Sequence, residues 1–135
     1  MKRIIPIILI LLFALSGCSS VKKEQNTAAY KQISQEEAKE MMDRADGHVI
    51  VDVRRQDEYD AGHIPGAILI PNESIGCDSP EALPDYDQII LIYCRTGNRS
   101  KQASEKLAAM GYTNIYEFGG INTWTGKIVT EETEE

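Results

Sequence analysis

Between Tyr30 and Val129 the chain alternates apolar runs too short for helices with segments whose apolar residues recur at helical spacing. Tyr30 to Ile33 reads as a short first strand. Ser34 then caps a helix, with Glu37 completing a capping box and Ala38, Met41, Met42 and Ala45 on one face, ended by Gly47. His48 to Val53 (HVIVDV) is a β-branched strand, and Ala67 to Ile70 is another, set up by the Pro65-Gly66 turn. Gln88 to Tyr93 (QIILIY) is apolar without alternation, which suits a central strand covered on both faces. Residues 100 to 110 place Ala103, Leu107 and Met110 at helical spacing before a stop at Gly111. Asn114 to Phe118 is a last strand, Gly119-Gly120 a turn, and Ile121 to Trp124 a short helical turn in which Trp124 packs in the core rather than on a ligand. Strands alternating with helices predict an α/β domain.

The flanks break this pattern. Lys2 and Arg3 precede a uniformly apolar run over residues 4 to 15, so residues 1 to 17 read as an export signal. At 1.5 Å per residue the run covers about 18 Å, short of the ~30 Å hydrocarbon core of a bilayer. It has no polar face and contains Pro6, which also argues against a buried helix. The stretch Leu15-Ser16-Gly17-Cys18 resembles the lipobox of bacterial lipoproteins, which implies cleavage before Cys18, acylation of that cysteine with chains such as palmitate, and an extracytoplasmic, lipid-anchored location. A soluble secreted product and an uncleaved anchor are the alternatives. Residues 18 to 29 become the lipidated cysteine and a flexible tether, 30 to 129 the folded domain, and 130 to 135 an acidic, solvated tail.

At 135 residues there is material for one domain and not two. A formal charge of -7, with no basic run beyond the first three positions, excludes nucleic acid as a natural partner. Cys18, Cys77 and Cys94 lack the spacing of a disulfide framework or a zinc site, so neither a structural metal nor a cofactor is expected.

Chemistry concentrates where the QIILIY strand ends. Cys94 follows it and precedes Arg95, Thr96, Gly97, Asn98, Arg99 and Ser100, at the carboxyl end of a buried strand just before a helix. Gly97 and Asn98 tolerate positive φ, so the loop can curl its N–H groups toward one spot, and Arg95 and Arg99 add positive charge. Such a nest favours an anion and an ionised cysteine. Ionisation alone is a small gain. Lowering a thiol from ~8.5 to ~6.5 raises the thiolate fraction at pH 7 from about 3% to about 75%, but lost nucleophilicity of roughly eightfold leaves a net gain of about threefold. Holding a charged group on the sulfur, or a leaving anion, is the larger effect, at ~3 kcal/mol per oriented donor. Two arginines, a glycine and an asparagine within five positions of Cys94 are not core composition, which sets aside a purely structural cysteine.

Five ordered motifs together resemble the single-domain rhodaneses, thiosulfate sulfurtransferases: Asp52-Val53-Arg54, Glu58-Tyr59, Gly62 to Ala67 (GHIPGA), the Cys94 to Ser100 loop, and Gly119-Gly120-Ile121 with Trp124. The resemblance implies a rhodanese-like three-layer fold with a five-stranded parallel sheet flanked by helices. It implies that Cys94 takes a sulfane sulfur from a small anionic donor such as thiosulfate and passes it to cyanide or a thiol, with the backbone from Arg95 to Ser100 cradling the persulfide.

Related cysteine phosphatases place five residues between the cysteine and a phosphate-clamping arginine, whereas four lie between Cys94 and Arg99 here. The shorter loop suits one sulfur atom better than a tetrahedral phosphate, against phosphatase and arsenate-reductase readings. Asp52 and Arg54 are expected to brace a neighbouring loop, and His63 to hydrogen-bond within its turn. Cys77 is a candidate resolving thiol, and a noncatalytic binding or sensing module is the remaining alternative.

Overall fold

A computed structural model describes residues 30–133. The expected export signal, lipidated Cys18 and tether, together with the last two residues of the tail, lie outside that range. Five strands form one parallel sheet: β1 (Lys31–Gln32), β2 (Val49–Asp52), β3 (Ile68–Leu69), β4 (Ile89–Cys94) and β5 (Asn114–Gly120), in the order β1-β5-β4-β2-β3. Three helices accompany them: α1 (Gln35–Met42), α2 (Gln56–Asp60) and α3 (Asn98–Met110). Central β4 has no exposed position, because parallel crossovers place helices over both faces.

Alternation along the strands sorts the core into two halves. Val51, Val53, Ile90, Ile92, Cys94 and Ile115 pack with Ala103 and Leu107 of α3. Ile50, Leu91, Tyr93 and Phe118 face the opposite way, toward Ala38 of α1. Trp124 is half-buried on this second side, its ring 5.6 Å from that of Phe118.

α1 begins with the expected reciprocal cap: Ser34 Oγ accepts the Glu37 N–H at 3.1 Å, and the Glu37 carboxylate accepts the Ser34 N–H at 2.9 Å. It stops sooner than the apolar spacing suggested, leaving Ala45 exposed beyond it. Asp46 instead turns the backbone by accepting the His48 N–H at 3.1 Å, a local bond that competes with helix continuation. α3 starts two residues before the expected Ser100, since Gly97, at φ 109°, turns the chain directly into it.

Gly119-Gly120 is not a turn. Both belong to β5, where the register against β4 slips between Ile92, opposite Glu117, and Cys94, opposite Gly120. Three residues of β5 thus span two of β4, with Gly119 at φ 91°. This bulge carries the end of β5 against the loop that follows Cys94.

Candidate active site

Cys94 is the last residue of β4 and only 1% exposed. The chain leaves the strand through exposed Arg95 and Thr96, bends at Gly97 and enters α3. The bend turns the Gly97 N–H onto Cys94 Sγ at 3.0 Å. Ser100, on the first turn of α3, puts its hydroxyl 3.5 Å from the same sulfur and 2.9 Å from the Gly97 carbonyl. Burial pushes the Cys94 thiol up. The Ser100 hydroxyl and the N–H groups of Ser100, Gly97 and Thr96 outweigh it, holding the thiol below its ordinary value. The loop is therefore an amide-lined cup with sulfur at its base.

Gly120 fixes where the cup sits. A Cβ at this position would lie 2.1 Å from the Arg95 carbonyl oxygen and 2.6 Å from the Thr96 nitrogen, so only glycine lets β5 and the loop approach this closely. The Arg95 carbonyl also accepts the Asn122 N–H at 3.2 Å.

The two arginines of the loop are placed differently. Arg95 is exposed and makes no ion pair among the described residues. Arg99, grouped with it on sequence as an attractor of anions, is occupied: its guanidinium grips Glu58 in a two-pronged pair at 2.7 and 2.8 Å. That contact holds the Glu58 carboxyl at about 2 against an ordinary 4.5, despite the opposing effect of burial, with the Arg55 N–H contributing at 3.0 Å. Asn98 is exposed at the start of α3.

Asp52 and Arg54 form a buried pair at 2.7 Å at the end of β2. Arg54 also donates to the Gly62 carbonyl at 2.7 Å, and Asp52 accepts the Tyr93 hydroxyl at 2.7 Å. Tyr93 in turn accepts the Ile64 N–H at 3.1 Å, so the pair ties the Gly62–Ile64 turn to the residue preceding Cys94. The desolvated Tyr93 phenol, beside the Asp52 charge, is pushed far above its ordinary value and stays neutral. His63 sits within that turn, its Nδ1 3.0 Å from the Tyr59 carbonyl and its ring stacked on Tyr59 at 3.7 Å. Cys77 is exposed, and it and Cys94 are both free thiols. Among the described residues no group of three or more His, Cys, Asp or Glu side chains is arranged to hold a metal ion.

Two site residues escaped the sequence reading of roles. Glu58 is the partner of Arg99. Glu117, 3% exposed on β5, lies 2.6 Å from Ser100 Oγ. Its signal was available: an acid at the same parity as buried Ile115, between Tyr116 and Phe118.

Residues 34–127 match the rhodanese-like domain family. The thiosulfate sulfurtransferase GlpE of Pseudomonas entomophila is 38% identical over 96 residues, covering 70% of this chain and 84% of its own length. Among solved structures, a rhodanese-like domain protein from Staphylococcus aureus superposes with a TM-score of 0.64 at 32% identity, over 75% of this chain and 98% of that one. A rhodanese with bound anions from E. coli superposes with a TM-score of 0.57 at 34% identity, over 62% of this chain and 98% of that one. With the parallel sheet and the strand-end cysteine in place, these matches make the chain a member of the rhodanese-like domain family, among relatives that include thiosulfate sulfurtransferases.

Proposed function

We propose that this protein is a sulfurtransferase in which Cys94 accepts a sulfane sulfur from a small anionic donor such as thiosulfate and delivers it to cyanide or a thiol. The observation that carries this reading is the Gly97 N–H at 3.0 Å from Cys94 Sγ, inside a loop that holds the thiol below its ordinary value. The Cys94 thiolate attacks the outer sulfur of thiosulfate, an S–S bond forms, and the electron pair of the broken bond leaves with sulfite. The resulting persulfide carries one negative charge on its terminal sulfur, which the N–H groups of the loop are placed to hold. Cyanide then takes that sulfur as thiocyanate and restores the thiolate. Each half-reaction balances in atoms and charge, so the cycle calls on no cofactor.

Access supports a narrow donor. A cysteine with 1% exposure admits a reagent that leads with one atom far more readily than a tetrahedral phosphate. The four-residue spacing to Arg99 points the same way, and Arg99 is turned to Glu58. Exposed Arg95 supplies the attraction for the incoming anion. The test is thiocyanate production from thiosulfate and cyanide: wild type forms it, Cys94→Ser does not, and neither hydrolyses an aryl phosphate. Phosphate release without thiocyanate would replace this reading with the phosphatase one.

The same proposal places the domain outside the cytoplasm on a lipid anchor at Cys18, with residues 19 to 29 as tether. Its support is the lipobox-like sequence. Membrane fractionation tests it: wild type sediments with membranes, and Cys18→Ser abolishes acylation.

A further inference from the structure

Remote from Cys94, a cavity of about 560 Å³ opens beside α1 and the amino end of β2. Val49, at that end, pairs with Ile90 of β4, four positions before Cys94, or about 13 Å along the strand. The two sites also face apart: Ile50, Ile64 and Trp124 belong to the core half opposite the one that holds Cys94. Met42, Ile50, Ile64, Ile68 and Trp124 give the cavity apolar walls, and its size is that of a small-molecule pocket. One wall is preformed. The Trp124 ring leans on Phe118 at 5.6 Å, and its Nε1–H donates to the Lys127 carbonyl at 3.3 Å. A Cβ at Gly126 would lie 2.6 Å from Trp124 Nε1, so glycine is what lets the chain fold over the indole.

The charges around the cavity run against the rest of the molecule. The chain carries -7 overall, yet two lysines, Lys39 and Lys127, line the cavity against one carboxylate, Asp43, which is exposed to solvent. His48, the remaining titratable side chain of the lining, is taken by Asp46 at 2.6 Å. Neither lysine forms an ion pair among the described residues. Lys39 is half-buried, its ammonium donating to Thr125 Oγ1 and lying 5.1 Å over the Trp124 ring. An ammonium so placed has donors left over and no counterion, and an anion in the cavity supplies one. Apolar walls beside unpaired cations define the chemistry of the ligand. We propose that the cavity binds a small amphipathic anion, its aromatic or aliphatic body against Met42, Ile64 and Trp124 and its carboxylate or sulfonate paired with Lys39 and Lys127. The site is independent of sulfur transfer at Cys94.

The probe is anilinonaphthalene sulfonate, with N-phenylnaphthylamine as the same aromatic body without its charge. Trp124 is the only tryptophan in the chain, so quenching of its emission reports occupancy. The sulfonate saturates a single site per chain, and 1 M salt weakens it while leaving the affinity of the neutral probe within about twofold. Lys39→Gln and Lys127→Gln each weaken the sulfonate about fivefold, again moving the neutral probe by no more than about twofold. Amide nuclear magnetic resonance shifts locate the site: those of Ile50, Ile68 and Gly126 move on binding, and those of Thr96 to Ser100 do not. Cys94→Ser binds the sulfonate as wild type does, and excess thiosulfate fails to displace it. Circular dichroism confirms that the lysine variants fold, and the salt and shift measurements on wild type decide the matter if they do not. Shifts confined to the Cys94 loop, displacement by thiosulfate, or lysine variants that bind the sulfonate as tightly as wild type overturn the proposal. Saturable, lysine-dependent binding in a protein that makes no thiocyanate leaves the cavity standing and removes sulfur transfer. Thiocyanate formation without such binding does the reverse.

Discussion

Replacing Gly120 by alanine adds one methyl group at the point where β5 meets the loop after Cys94. The backbone tolerates it, since Gly120 is extended at φ -139°. The space does not. The new Cβ would lie 2.1 Å from the Arg95 carbonyl oxygen, 2.4 Å from its carbon and 2.6 Å from the Thr96 nitrogen, where ordinary contact begins near 3.4 Å. All three atoms are backbone, so no rotamer change relieves the clash, and strand and loop must part by more than about 1 Å. Overpacking of this kind costs about 1–3 kcal/mol of stability. For a domain of this size each kcal/mol lowers Tm by about 4–8 °C. The larger effect falls on chemistry: a displacement of about 1 Å in a preorganised site costs on the order of 100-fold in rate. Thiocyanate formation is assayed well below the Tm of the variant, with circular dichroism confirming the fold. Gly76→Ala is the control, having open space around it and no left-handed φ, and it should retain full activity. Transfer by Gly120→Ala within about threefold of wild type would refute the argument that cup geometry sets the rate.

Other expectations follow from the pairs around the site. Glu58→Gln releases the Arg99 guanidinium, and one freed charge in the first turn of α3 lowers KM for thiosulfate by about fivefold at low salt, an effect that 1 M salt erases. In the same variant the acid dependence of stability changes. The Glu58 carboxyl is depressed from 4.5 to about 2, so the unfolded chain binds its proton first, and the pair stabilises above about 4.5 and loses this as pH falls toward 2. With partial solvent exposure the loss is about 1 kcal/mol, visible as a falling urea midpoint in wild type and a flatter one in Glu58→Gln. Asp52→Asn keeps the shape but leaves the Arg54 charge buried without its counterion, and should cost about 3–5 kcal/mol in urea unfolding.

The centre of the sheet was legible because β2 is β-branched and β4 is apolar on both faces. α2 was not: five residues with no buried position give no periodicity, and the helix is seeded by the Glu58 carboxylate accepting the Arg55 N–H. The paired glycines looked like a turn because local propensity cannot show that a neighbouring loop needs the space a side chain would fill. The Cys94 loop was legible because cysteine, amide donors and Ser100 are contiguous. The partners of its carboxylates were not, as Glu58 reaches Arg99 from 41 positions away and Glu117 reaches Ser100 from 17.

The central claim is that Cys94 carries sulfur in a cup of backbone amides. Intact-mass spectrometry after incubation with thiosulfate tests it most directly. Wild type should gain about 32 Da, lost again on adding cyanide, while Cys94→Ser gains nothing. An unchanged wild-type mass, or the same gain in Cys94→Ser, would contradict it.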